Sequence, residues 1–254
     1  MRIVSLCPSI TESLVALGLA PHLVGVTRYC VHPREVTAGI RKVGGTKDPD
    51  HAAIRSLEPD LVFANAEENR SEDLMALGRD LALDVSHPRR VEDVPPLLRR
   101  FGRMTGTEEI AEGFSSRVEE ELLRIEGGRS SSPPFRYAVL IWKFPWMTVG
   151  PRTYIADLLR LAGGVSSLEE SGGPGLDYPT TDDVSILASR PDVLILPDEP
   201  YRFREADAVS WRSRLGARAR VVLVPGDDLC WHGVRTLRGL AAVASLSAAV
   251  RAVA

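Results

Sequence analysis

Residues 54–70 read Ile54-Arg55-Ser56-Leu57-Glu58-Pro59-Asp60-Leu61-Val62-Phe63-Ala64-Asn65-Ala66-Glu67-Glu68-Asn69-Arg70. Residues 186–202 read Ile186-Leu187-Ala188-Ser189-Arg190-Pro191-Asp192-Val193-Leu194-Ile195-Leu196-Pro197-Asp198-Glu199-Pro200-Tyr201-Arg202. Each copy carries the end of a helix, a Pro-Asp turn, a short apolar run and an acidic polar loop. An apolar run bounded by such signals reads as a strand buried on both faces. The loop that follows lies at the carboxyl end of that strand, the edge at which open α/β sheets bind ligands.

The match extends outward from these two stretches. Arg2-Ile3-Val4-Ser5-Leu6 opens the first half and Arg136-Tyr137-Ala138-Val139-Leu140-Ile141 opens the second. Each leads through a proline-containing loop into an amphipathic helix, Thr11 to Leu17 ending at Gly18, and Thr153 to Leu161 ending at Gly163-Gly164. Glycine just past the last periodic residue is a stop signal. Thr46-Lys47-Asp48-Pro49-Asp50 precedes one copy of the Pro-Asp turn, and Thr180-Thr181-Asp182-Asp183 precedes the other. The opening strands are 134 residues apart and the Pro-Asp turns 132. Offsets this close predict two similarly built α/β lobes.

Between the halves, Thr107 is placed to cap a helix running to Glu126. Its apolar positions Ile110, Phe114, Val118, Leu122 and Ile125 form one stripe on a 3.6-residue period. The helix is followed by Gly127-Gly128-Arg129-Ser130-Ser131-Ser132-Pro133-Pro134, the most linker-like segment of the chain. The organisation expected is a first α/β lobe over 1–104, a connecting helix over 105–128 and a second α/β lobe over 129–254. In the second half a strand is expected at 136–141, helices at 153–161 and 182–188, and strands at 192–196 and 220–224. A final Ala/Leu-rich helix is expected from Val234 to Ala252. In the first half, Leu81 to Ser86 reads as a strand and Val94 to Met104 as a helix.

The composition narrows the function. Hydrophobic residues make up 44% and charged residues 26% of 254, which is ordinary for a folded globular chain. A net charge of −3 gives no reason to expect a nucleic-acid partner. No apolar run approaches the roughly 20 residues that span a bilayer, so membrane insertion is not expected. Cys7, Cys30 and Cys230 form no C-x-x-C pair and do not read as a disulfide framework. There is no G-x-S-x-G, no G-x-x-x-x-G-K-[ST] and no G-x-G-x-x-G, so no enzymatic motif is read. Gly44-Gly45-Thr46-Lys47 is only a faint echo of a phosphate loop.

The loops at predicted strand ends supply the candidate ligand residues. In the second half they are aromatic: Trp142, Phe144 and Trp146 after the opening strand, then Tyr154, Tyr178, Tyr201 and Trp231. Such rings offer large apolar faces with little entropy to lose, which suits a flat ligand. In the first half the candidates are Pro8, Ser9, Tyr29 and Asn65. His32, His87 and His232 also lie near strand ends, and His232 is counted with the ligand residues. No two histidines share a ligand spacing, so no metal site is read.

Several stretches carry a family resemblance: Arg2-Ile3-Val4-Ser5-Leu6-Cys7-Pro8-Ser9-Ile10-Thr11-Glu12, Val24-Gly25-Val26-Thr27, Val43-Gly44-Gly45, Leu57-Glu58-Pro59-Asp60-Leu61-Val62, Tyr154 to Gly164 and Pro191 to Leu196. They resemble the vitamin-B12-binding branch of the helical-backbone (class III) substrate-binding proteins of ABC importers, across nearly the whole chain. The loop Ala64 to Arg70 departs from that branch in carrying no aromatic. The resemblance implies two α/β lobes with parallel sheets joined by one long backbone helix, with a ligand cleft between the lobes. It implies a monomeric binding protein, not an enzyme, with no covalent cofactor. Its ligand would be a metal chelate: cobalamin, a ferric siderophore or haem. It also implies that acidic residues of each lobe, here Glu67 and Glu68, and Glu199 and Glu205, dock an ABC permease. The first strand begins at Arg2, which leaves two expectations for location. The protein is periplasmic or on the cell surface if a leader has been removed, and cytoplasmic if Met1 is the native start. The second case opens an alternative: a cytosolic metal- or corrinoid-handling protein or enzyme reusing the fold.

Overall fold

The computed structural model describes residues 1–127, 133–168 and 175–252. Residues 128–132, most of the linker-like segment and the expected start of the second lobe, lie outside the described residues. The chain divides into two compact units. The first holds Met1–Pro88, Glu92–Glu119 and His232–Arg235; the second holds Arg89–Val91, Glu120–Trp231 and Thr236–Ala254.

The first unit is built from β1 (Ile3–Ser5), α1 (Pro8–Ala16), β2 (Leu23–Val26), α2 (Arg34–Thr37), β3 (Arg41–Lys42), α3 (His51–Ser56), β4 (Leu61–Asn65), α4 (Ser71–Leu77), β5 (Leu83–Ser86) and α5 (Val94–Thr105). The start of α6 (Glu108–Gly127) also belongs to it. Its sheet has the order β3-β2-β1-β4-β5, with every pairing parallel. Two apolar layers cover the faces. Ile3, Ile10, Leu14, Phe63 and Phe101 lie on one side, and Val4, Leu6, Ile54, Val62 and Leu77 on the other. The alternation of Ile3 and Val4, and of Val62 and Phe63, between the two layers is the period-2 rule of a strand buried on both faces.

The second unit continues with β6 (Phe135–Val139), β7 (Trp146–Met147), α7 (Tyr154–Leu161), β8 (Gly164–Ser166), β9 (Thr180–Thr181), α8 (Asp183–Ala188), β10 (Val193–Pro197), α9 (Glu205–Leu215), β11 (Arg220–Val224), α10 (Gly226–Cys230) and α11 (Thr236–Arg251). Its main sheet has the order β11-β10-β6-β8, again all parallel. β7 and β9 form a separate antiparallel pair.

The two sheets share one topology. β1, β2, β4 and β5 of the first correspond to β6, β8, β10 and β11 of the second, and β3 is an addition to the first. The Pro-Asp turns correspond bond for bond. The Asp60 carboxylate accepts the Arg2 N–H at 2.6 Å, the Asp60 N–H donates to the Arg2 carbonyl at 2.8 Å, and the Arg2 guanidinium donates to the Leu57 carbonyl at 2.7 Å. The Asp192 carboxylate accepts the Arg136 N–H at 2.6 Å, the Asp192 N–H donates to the Arg136 carbonyl at 2.8 Å, and the Arg136 guanidinium donates to the Ser189 carbonyl at 2.9 Å. The residue before each proline is left-handed, Glu58 at φ 44° and Arg190 at φ 47°. The helices before the turns are capped alike: Asp50 accepts the Ala53 N–H and Asp182 the Ser185 N–H.

Three readings of the sequence change. The apolar stripe expected on the connecting helix coincides only in part with its buried seam. The residues buried along α6 are Ala111, Ser115 and Val118, while Ile110 is exposed and Phe114 only partly covered. The reason is close approach: a Cβ on Gly102 of α5 would stand 2.7 Å from the Ala111 side chain, so the contact selects small residues over large ones. Arg99 of α5 then reaches Glu112 at 2.7 Å and Glu119 at 2.5 Å on α6. Gly163-Gly164 does stop α7, but Gly164 also opens β8, a strand not expected there. The final helix begins at Thr236, because His232–Arg235 fold with the first unit instead.

The carboxylates of the two turns are the acceptors that start each sheet. Removing one leaves a strand-end N–H without its acceptor, at a cost of about 1–2 kcal/mol. Asp60→Ala and Asp192→Ala are each expected to lower unfolding free energy in urea by that amount. Asp192→Asn, which keeps an acceptor, should lose less than half of it.

Candidate functional site

In the first unit the carboxyl edge of the sheet is sealed by amide side chains. At the end of β4, Asn65 Oδ1 accepts the N–H groups of Glu67 and Glu68 at 2.9 and 3.1 Å. Asn69 Oδ1 accepts the Asn65 N–H at 2.9 Å, and Asn69 Nδ2 donates to the carbonyls of Leu6 and Thr46 at 3.1 and 2.9 Å. The acidic loop read from the sequence is thus folded onto its own strand, and both asparagines are buried.

Those bonds fix the orientation of the Asn65 amide. With Oδ1 committed to two backbone donors, Nδ2 faces His232 Nε2 at 3.2 Å. Nδ2 can only donate, so His232 Nε2 accepts, and the ring is neutral with its proton on Nδ1. The Ser9 hydroxyl, also 3.2 Å from Nε2, donates to the same nitrogen. Cys7 Sγ follows at 3.3 Å from Ser9 Oγ. Burial, with a contribution from His87, lowers the His232 pKa to about 4, in keeping with its role as an acceptor.

His232 is held there by the residues that follow it. Gly233 has φ 85°, and a Cβ on it would stand 2.1 Å from Ser13 Oγ, so only glycine fits. The Val234 N–H donates to Ser13 Oγ at 3.2 Å. The buried Arg235 guanidinium meets the Glu12 carboxylate through two bonds of 2.7 and 2.6 Å, a fork geometry that fixes direction as well as distance. Ser9, Asn65 and His232, three of the residues expected to bind ligand, therefore converge, but as a buried, mutually hydrogen-bonded set. Pro8 is the first residue of α1 beside them. Tyr29 stands apart from this set: it is exposed after β2, with the Arg28 guanidinium over its ring.

The second unit presents the opposite kind of edge. After β6 the chain runs Trp142-Lys143-Phe144-Pro145-Trp146. Trp142 meets Tyr201 edge-on, Tyr201 meets Phe203, and Phe203 stacks on Trp146. Trp146 also meets Trp211 edge-on and is anchored by its indole N–H, which donates to Asp183 at 2.6 Å. Phe144, at φ 63°, stacks on the far side of Trp146. Lys143 lies over both the Phe144 and Trp146 rings and is tied to Asp207 at 2.6 Å. The outer rings of this ladder face solvent: Phe144 is 80% exposed and Trp142 41%. This is a pre-formed apolar platform, ordered by ring contacts and by a cation whose charge is already matched.

Two other aromatic candidates are interior. Trp231 is 6% exposed and its indole N–H donates to the Glu199 carboxylate at 3.0 Å. Tyr154 is buried, and its hydroxyl lies 2.8 Å from the Thr236 hydroxyl; burial holds its pKa well above the usual phenol range. Tyr178 is half-buried in the loop before β9. Of the four glutamates, Glu68 is exposed after β4 and Glu67 half-buried. Glu199 is half-buried and holds Trp231, and Glu205 is exposed and paired with Arg212. Among the described residues no three His, Cys, Asp or Glu side chains converge to hold a metal ion. No helix among them is long and apolar enough to cross a membrane.

Phe144, read together with the tryptophans beside it, is the most exposed large ring among the described residues. The available signal was its position before Pro145 in a five-residue loop with three large rings.

With this geometry in hand, comparison with known proteins places the fold. Residues 3–208 match the family described as periplasmic binding protein, and the chain belongs to that family. It is 23% identical to the vitamin B12-binding protein of Vibrio cholerae over 214 residues, covering 84% of this chain and 74% of that one. It is also 23% identical to the vitamin B12-binding protein of Pectobacterium carotovorum over 239 residues, covering 93% and 84%. Among solved structures it superposes on the periplasmic vitamin B12 binding protein of Vibrio cholerae with a TM-score of 0.85 at 21% identity, over 98% of this chain and 97% of that one. It superposes on the periplasmic haem-binding protein of Roseiflexus sp. RS-1 with a TM-score of 0.81 at 23% identity, over the same shares. At these identities the superpositions establish the two-lobed α/β fold with its long helix, in agreement with the sequence reading.

The buried histidine makes stability depend on pH. His232 titrates near 4 when folded and near 6.5 when unfolded, so between those values the unfolded chain binds more protons and stability rises with pH. Between pH 7 and pH 5 the folded protein should lose about 2 kcal/mol through this residue. In His232→Gln, which keeps an acceptor but does not titrate, urea unfolding at the two pH values should differ by about that much less than in the parent.

Proposed function

We propose that the protein is the substrate-binding component of an ABC importer and that it captures a metal chelate with a broad flat face: a corrinoid, a haem or a ferric siderophore. The observation that carries this reading is the ring platform of Trp142, Phe144 and Tyr201 at the carboxyl edge of the second sheet, whose Trp142 and Phe144 rings face solvent. A flat macrocycle or catecholate laid on such rings loses apolar surface to them without ordering flexible side chains, a gain of roughly 1–3 kcal/mol per ring. Family membership supports a binding role, and the names of the relatives support this ligand class. The location that follows is the periplasm or the outer cell surface. The protein does no chemistry on its ligand in this reading, and works as a monomer.

Docking to the permease is assigned to the acidic loops that follow the two repeated strands, through Glu67 and Glu68 after β4 and through Glu199 and Glu205 after β10. The corresponding positions of these loops in the two copies support a pair of docking points, one from each unit.

Cobalamin, haemin and a ferric catecholate siderophore, each titrated while tryptophan emission is followed, test the ligand class; no saturable quenching by any of them overturns it. Trp142→Ala and Phe144→Ala should each weaken the bound ligand about 5- to 150-fold, since 1.4 kcal/mol is tenfold. Trp231→Ala should instead act on stability, costing about 3–5 kcal/mol as for a core tryptophan. Unchanged affinity in both platform variants would move the ligand elsewhere. Combining Glu68→Gln with Glu199→Gln keeps the acceptor for Trp231 and should leave ligand affinity intact while stopping uptake in reconstituted vesicles.

A further inference from the structure

A second candidate site lies on the same unit beside the aromatic ladder, with Phe203 common to both. The segment Tyr201-Arg202-Phe203-Arg204 alternates rings and guanidinium groups. Tyr201 and Phe203 turn into the aromatic ladder. Arg202 and Arg204 line a shallow groove of about 660 Å³ at the carboxyl ends of β10 and β11, within the range of small-molecule sites. Its apolar part is Leu223, Val224 and Pro225, of which Leu223 is 38% exposed.

The groove carries a small surplus of positive charge, because two guanidinium groups stand against the one Asp198 carboxylate while the other nearby carboxylates are paired with cations. Asp207 gives one oxygen to Lys143 at 2.6 Å and the other to the Arg204 backbone N–H at 3.0 Å. Glu205 is paired with Arg212. Asp198, on the groove wall, accepts the Gly226 N–H at 2.6 Å. Among the described residues neither the Arg202 nor the Arg204 guanidinium forms a salt bridge. The backbone adds polar groups. β11 is the edge strand of its sheet, and the ladder to β10 runs through the Arg220 N–H to Asp192 and the Val224 carbonyl to Asp198. In a parallel ladder alternate residues face the partner, so the N–H and C=O of Leu223 point away from β10.

We infer that this groove is a binding site for a small amphiphilic anion, one carboxylate or phosphate on an apolar body, distinct from the ring platform. The two guanidinium groups receive the anionic head, as their planar forks suit carboxylate and phosphate alike. Leu223, Val224 and Pro225 take the apolar body. A neutral amphiphile of the same length gains only the second of these contacts.

The test is a titration of the full-length ¹⁵N-labelled protein with decanoate, decyl phosphate and decanol, read from amide shifts. Decanoate should saturate below about 1 mM with shifts at Arg202, Arg204 and Leu223, and decanol should bind at least about tenfold more weakly. Decyl phosphate binding more tightly than decanoate assigns the site to phosphate esters, and the reverse order to carboxylates. Arg202→Gln combined with Arg204→Gln should weaken the anions at least about tenfold and leave decanol unchanged. Arg218→Gln, an exposed arginine outside the groove, should change neither. Equal affinity for decanol and decanoate, loss of binding in Arg218→Gln as large as in the groove variant, shifts confined to residues 142–146, or no saturable shifts at all would each overturn the proposal.

Discussion

The hydrogen bond from an arginine N–H at the start of the opening strand to the carboxylate of a Pro-Asp turn is the constraint on which both units rest. Asp60 receives Arg2 and Asp192 receives Arg136, each at 2.6 Å, and in each case the aspartate N–H returns a bond to the same arginine. The exchange pins the opening strand of each unit against β4 or β10 through backbone and turn groups. It therefore sets which residues stand opposite one another: Ile3 opposite Leu61, and Tyr137 opposite Val193. A slip of one residue would send every buried side chain of a two-faced strand to the wrong layer. The left-handed residues before the prolines show the same constraint from the other side. Glu58 and Arg190 accept an unfavourable backbone region so that the turn is tight enough to deliver the carboxylate.

Most of this frame was legible in the sequence because it is written in short-range signals. Pro-Asp followed by an apolar run, an aspartate cap three residues before the N–H it binds, and a glycine stop each act within one turn of chain. Repeating them at nearly the same offset made the two α/β units readable without any knowledge of packing, and the parallel sheets came with the family resemblance. What the pattern could not supply was the choice between apolar residues competing for one interface. On α6 the hydrophobic stripe pointed to Ile110 and Phe114, but the facing helix presents Gly102, and the close approach this allows favoured Ala111 and Ser115. Periodicity ranks residues by hydrophobicity; a helix contact ranks them by size as well.

The site residues divide along the same line. Trp142, Phe144 and Trp146 were recognisable as loop aromatics after a strand, but their exposure depends on neighbours distant in sequence. Trp146 is drawn inward by Asp183, Phe203 and Trp211, which leaves Phe144 outside it. Trp231 looked equivalent, yet the carboxylate of Glu199 takes its indole N–H and it becomes interior. His232 is the extreme case. Its partners Ser9 and Asn65 lie 223 and 167 residues away, and it is brought to them by Gly233 and Val234 against Ser13 and by the fork between Arg235 and Glu12. No local signal encodes such a contact.

The two sheets consequently end in edges of opposite character despite their common plan. In the first unit Asn65 and Asn69 spend their amides on backbone groups and close the edge with polar bonds. In the second, the residues matching Asn65 and Asn69 are Pro197 and Tyr201, which have no amide to give. The loop there is held by ring contacts and by Asp198, and ring contacts leave faces open where amide bonds leave none. The duplicated Pro-Asp frame thus fixes where the strands end and leaves the chemistry of each edge free to differ. An edge closed by hydrogen bonds gives rigidity, and an edge closed by stacked rings retains apolar surface for something else to cover. That difference places the capacity to bind a broad apolar face in the second unit, on a scaffold whose strands it shares with the first.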